Sequence, residues 1–99
     1  MRAPKNHISY PRKKVLEVLR TLNELVVSLD QLGSAEMTKQ KHDAAVSDFI
    51  QRHRIFRKAA RARQILSEPF PDELGPDAMS ELEREMEGIQ YWRDRRRKQ

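Results

Sequence analysis

An all-α fold, a small antiparallel bundle of three helices, follows from three observations on this 99-residue chain. Apolar residues recur at helical spacing along two long stretches. No stretch alternates apolar and polar residues with period two, so no strand is expected. Breaks fall at Gly33 and at the proline-rich segment 68–76, which cut the chain into three. The expected organisation is a basic extended arm over 1–10, a single helical-bundle domain over 11–92 and a basic tail over 93–99. Within the domain, a long helix 1–helix 2 hairpin is joined by an acidic third helix.

Helix 1 reads from 11 to 32, with Pro11 suited to its first turn. Val15, Leu19, Leu22, Val26 and Leu29 follow the 4-3-4-3 spacing of a heptad seam. Val18, Leu25 and Leu32 widen it to an arc of roughly 140°, enough to touch two neighbouring helices. Leu16 and Val27 lie outside that arc, on a mixed stripe with Arg20 and Asn23, and are the residues through which a homodimer is expected. Gly33 is the expected left-handed C-cap. The short turn it makes would set helices 1 and 2 antiparallel.

Helix 2 reads from 34 to 67, with Ser34 as N-cap and Glu36 in the first turn, where the helix dipole favours an acid. Uninterrupted, it would be roughly 50 Å long against roughly 33 Å for helix 1. It therefore overhangs or breaks near its polar start, between Lys39 and Asp43. Its expected apolar face is Ala45, Val46, Phe49, Phe56, Ala59, Ala60 and Leu66. Helix 3 reads from 77 to 96, opened by Asp77 or, one turn later, by a capping box of Ser80 and Glu83. Met79, Leu82, Met86 and Ile89 give it a narrow seam, which Gly88 weakens by up to about 1 kcal/mol.

Composition narrows the function. The absence of cysteine excludes a disulfide scaffold and any thiolate-bound metal. No apolar run reaches the ~18 residues of a membrane span, and a membrane partner is not expected. The N-terminus carries no apolar secretory core, and Pro4 and Pro11 interrupt its basic stretch, so a cytoplasmic location is expected. Three glycines form no phosphate-binding loop. His7, His42 and His53 lack the spacing of helical metal ligands, and no nucleophile stands beside a base. No catalytic residue, metal or cofactor is expected, and the chain reads as a non-enzyme.

Two family resemblances fail on specific residues. The hairpin resembles small WXG-type helical proteins in length, but its turn is Leu32-Gly33-Ser34, without the defining tryptophan. Helix 1 also lacks the interior basic residue by which small all-helical mutases clamp dicarboxylates. No family is assigned.

Charge is segregated along the chain. The net charge of +5 divides into +8 over residues 1–67, −7 over 68–87 and +4 over 88–99. On helix 2, Arg54, Arg57, Lys58 and Arg61 fall on one stripe, with Ile50 among them. Trp92 and the tail residues Arg95, Arg96, Arg97 and Lys98 form a second basic region. The plainest account is a solvated helix face, neutralised in part by the acids of helix 3. The functional account is a surface for an anionic partner, either an acidic protein patch or nucleic-acid phosphate. Arg52 and Arg63 sit nearer the apolar side, where they would pair with helix 3 acids or clamp a small anion. The expected function is a non-catalytic helical interaction module, an adaptor, regulator or inhibitor, docking through Ile50, Arg54, Arg57, Lys58 and Arg61 and the tail. The alternative is sequence-nonspecific nucleic-acid binding through the basic helix and arms, driven by phosphate contacts and sensitive to salt.

Overall fold

The computed structural model describes residues 6–94. The chain falls into two units, Met1–Pro69 and Phe70–Gln99. The first contains α1 (Arg12–Ser34), α2 (Lys39–Arg52) and α3 (Ile55–Ser67), and the second contains α4 (Glu81–Glu85). No strand occurs among the described residues. None of their helices is long and apolar enough to cross a membrane.

Helix α1 opens as the sequence indicates. Pro11 occupies its N-cap, and its carbonyl accepts from the amides of Lys14 and Val15 at 3.0 and 3.2 Å. Its far end differs from expectation. The helix runs straight through Gly33, and Ala35 stops it in an extended conformation (φ −72°, ψ 134°). The Ser34 hydroxyl donates to the Asp30 carbonyl at 2.8 Å, the i−4 back-bond of a serine in the last turn of a helix. Ser34 therefore closes α1 and does not open α2. Thr38 opens α2 instead: its Oγ1 accepts from the Lys41 amide at 3.2 Å. Glu36 lies ahead of the helix, in the connecting loop.

The long helix 2 is broken in two, but not near Lys39. The break is at His53 and Arg54, and Arg54 stands in the left-handed region at φ 52°, ψ 45°. The amides of His53 and Arg54 return to Phe49 and Gln51 to close α2, and the Lys58 amide donates to the Arg54 carbonyl at the start of α3. A single left-handed residue resets the helical frame. Phe49 and Phe56, which would share a face on one continuous helix, are separated by it. Phe49 is buried, whereas Phe56 is 81% exposed.

The core is small. Val18 of α1 meets Ala62 and Ile65 of α3, and Phe49 is the only other buried apolar residue among those described. Ile65, at 1% exposure, is the most enclosed side chain among the described residues. Cross-contacts fix the direction of α1 and α3. The Tyr10 hydroxyl donates to the Leu66 carbonyl (2.6 Å), Lys14 pairs with Glu68 (3.1 Å), Glu17 with Arg61 (3.0 Å) and Glu24 with Lys58 (2.8 Å). From Lys14 to Glu24 the numbers rise while those of their partners fall from 68 to 58, so α1 and α3 are antiparallel. α3 covers the Val18 flank of α1 and leaves Leu19, Leu22, Val26 and Leu29 exposed. The heptad seam expected to form the core is therefore on the surface.

In the second unit, of the expected helix over 77–96 the described residues form only α4, five residues long. Its start is the capping box: Ser80 Oγ accepts from the Glu83 amide, and the Glu83 carboxylate accepts from the Ser80 amide, both at 3.2 Å. Of the narrow apolar seam, only Leu82 falls inside it. Gly88, at φ 84°, turns the chain away shortly after its end. So short a helix gains too few internal bonds to extend itself. Asp77 is not its cap. Its carboxylate takes two bonds of 2.8 Å from the Arg84 guanidinium and one from the Met79 amide. This clamp holds a turn in which Ala78 is left-handed, at φ 62°. The two Arg84 bonds, ahead of that backbone bond, hold the Asp77 carboxyl at about 2, below the usual carboxylate range.

Candidate partner-binding cleft

Along the seam between α1 and α3 runs an open cleft. Glu17, Arg20, Thr21, Asn23 and Glu24 line it from α1, and Arg57, Lys58 and Arg61 from α3, with Arg54 at the junction before it. The α1 contribution follows from helical spacing. Residues 17, 20 and 24 are three and four apart and so stack on one face. That face lies beside the basic stripe of α3, and the structure divides the stripe into two kinds of residue.

Lys58 and Arg61 are engaged inside the unit. Lys58 Nζ donates to Glu24 Oε1 at 2.8 Å and Arg61 Nε to Glu17 Oε2 at 3.0 Å. His53 Nδ1 is 3.0 Å from the other Glu24 oxygen, and its ring tilts over Phe49 at 5.2 Å between centroids. The Lys58 bond, with the His53 bond behind it, lowers the Glu24 carboxyl below its ordinary range. These contacts clamp α3 to α1. Arg20, Arg54 and Arg57 are different: none forms an ion pair with any described residue. Five basic groups thus face two carboxylates, and three guanidinium groups remain presented to solvent around the pairs.

Within the first unit the expected docking residues divide between two depressions. Arg54, Arg57, Lys58 and Arg61 share the cleft. Ile50 lies before the helix break, on α2, in a separate shallow depression with His42, Asp43, Val46, Ser47 and Gln51. Trp92, at 85% exposed, stands out from the second unit. The tail residues Arg95, Arg96, Arg97 and Lys98 lie outside the described residues, as does the start of the basic arm with Arg2 and Lys5. Arg52 pairs within its own helix, with Asp48 at 3.3 Å, and Arg63 is exposed on α3, so the two do not form a clamp. Leu16 and Val27, the expected dimer residues, are both exposed on α1.

Sequence reading missed the contribution of α1. Arg20 was visible only as part of a mixed stripe, and Glu17 and Glu24 carried no assigned role. The available signal was that Glu17 and Glu24, seven apart, share one face of α1, as Lys58 and Arg61, three apart, share one face of α3. No described group of three or more His, Asp or Glu side chains is arranged to hold a metal ion. No protein-family model matches the chain, and no curated protein or solved structure is significantly similar to it.

Proposed function

We propose that this chain is a non-catalytic interaction module that docks on an acidic protein surface through the α1–α3 cleft. The observation that carries this reading is the set of three arginines, Arg20, Arg54 and Arg57, unpaired around two internally neutralised pairs. Unpaired guanidinium groups are suited to bidentate bonds with carboxylates. An acidic protein segment fits this cleft better than a nucleic-acid backbone. The carboxylates of Glu17 and Glu24 stand in it, and a continuous phosphate chain would be repelled as it passed them. Individual carboxylates on a partner can be spaced to meet the arginines and avoid those acids.

The test is titration of the protein with a labelled glutamate-rich peptide and, in parallel, with labelled single-stranded and duplex nucleic acid at two salt concentrations. The peptide should bind, and Arg54→Glu with Arg57→Glu should weaken it at least tenfold while circular dichroism remains unchanged. Lys58 and Arg61 are left intact in this variant because they hold the helices together. Nucleic acid binding more tightly than the peptide, with strong salt dependence, would replace this reading with the nucleic-acid one.

A further inference from the structure

The exposed seam of α1 has the properties of an interface between copies. Val15, Leu19, Leu22, Val26 and Leu29 keep an unbroken 4-3-4-3 spacing over the middle of a 23-residue helix. The last four are between 46 and 66% exposed, although the helix is packed on its neighbouring flank. Heptad spacing of this kind is the pattern by which one helix seats its side chains between those of another. Within the protomer the partner helix α3 takes the adjoining flank, Val18, and leaves the seam unpartnered.

The charges beside the seam specify what covers it. At about 100° per residue, Arg12 and Asp30 project in the same direction, immediately along the solvent edge of the seam. They lie eighteen residues apart at opposite ends of α1, about 27 Å along the axis. Neither side chain is ion-paired with a described residue. In an antiparallel pairing of two α1 helices, Arg12 of each copy faces Asp30 of the other at both ends, while Leu19 meets Leu22 in the middle. In a parallel pairing the edge that carries both charges would lie on opposite sides of the interface in the two copies, and neither charge would meet its opposite. The antiparallel pairing also opposes the two helix dipoles favourably.

We propose that the chain forms a two-fold symmetric dimer in which the α1 seams of two copies pack antiparallel, with reciprocal Arg12–Asp30 pairs at their ends. A two-fold axis through the middle of α1 requires such self-complementarity, and this seam provides it. The cleft with Arg20, Arg54 and Arg57 lies on the other side of the contact with α3, so both surfaces can be used at once. The proposal does not depend on what the cleft binds.

Sedimentation equilibrium of the full chain over a range of concentrations tests it. The expected mass is twice 11.7 kDa at high concentration, returning to 11.7 kDa on dilution. Leu22→Glu and, separately, Val26→Glu should each weaken association at least tenfold with helicity retained, since both positions are exposed in the single copy. Arg12→Asp and Asp30→Arg should each weaken it several-fold, and the double exchange should restore it. The restoration is diagnostic because the two sites are too far apart to pair within one helix. A protein that stays at 11.7 kDa at millimolar concentration overturns the proposal. So does a dimer indifferent to both glutamate substitutions, or single charge changes that the double exchange fails to rescue.

Discussion

Truncating Ile65 is the sharpest probe of how α3 is seated. Ile65→Ala removes three carbon atoms from the most enclosed side chain of the described residues. At about 0.8 kcal/mol for each buried carbon, the lost transfer energy is about 2.4 kcal/mol. The remaining space adds about 24 cal/mol for each Å³ that the neighbours fail to fill. With only Val18 and Ala62 as close core companions, the site can partly collapse, and the total should be ~2.5–4 kcal/mol. Native stability is about 0.05–0.15 kcal/mol per residue, so this one change removes a large share of it. Urea unfolding followed by circular dichroism should show the midpoint falling by about 2 M or more. Phe56→Ala is the matched control. A continuous helix would bury Phe56 beside Phe49, but in the broken one it is exposed, and its loss should change stability by less than about 0.5 kcal/mol. A large cost for Phe56→Ala with a small cost for Ile65→Ala would refute the left-handed break and the helical frame that depends on it.

Other consequences can be measured separately. Thr38→Ala removes the α2 cap and should cost about 1 kcal/mol in the same unfolding assay, whereas Ser34→Ala, which opens no helix, should cost less. Arg54→Gly should raise stability by ~0.5 kcal/mol, because glycine accepts a left-handed conformation that penalises other residues, less its greater freedom when unfolded. The Asp77 carboxyl should titrate near 2 by NMR, below its ordinary 3.8. Its folded-state value is depressed, so the Arg84 clamp contributes fully above about 4 and is lost as pH falls through about 2. Gly75→Ala should move that titration upward, because the added carbon would lie 2.6 Å from Arg84 Nη2 and push the guanidinium off Asp77.

The sequence was informative where local chemistry and spacing agree. Pro11 marked the start of α1, and Ser80 with Glu83 marked α4 through side chains that satisfy helix-end amides. Arg54 gave no such mark, because a left-handed arginine looks like any other in a helix-forming run. Gly33 misled in the opposite sense: its freedom was not used, and Ser34 and Ala35 ended the helix. The seam of α1 was correctly read as apolar and helical. Its burial was not legible, since α3 offers only Ala62 and Ile65 to that contact and covers a single flank. For the cleft, Arg54, Arg57, Lys58 and Arg61 were identifiable as one basic stripe. Their division into engaged and available groups depends on Glu17 and Glu24, whose facing α3 is a tertiary fact. Ile50 was assigned to the same surface only because the break after it was not seen.

That break also sets the order in which the molecule comes apart. α2 holds one buried side chain, Phe49, whereas α3 holds two and carries the Glu17 and Glu24 links to α1. A rigid continuous helix would transmit any loosening of α2 directly into α3. The left-handed residue decouples them, so α2 can detach while α1 and α3 remain paired. Its amides should exchange with deuterium well before those around Val18 and Ile65, making α2 a separately opening unit on a more durable pair of helices.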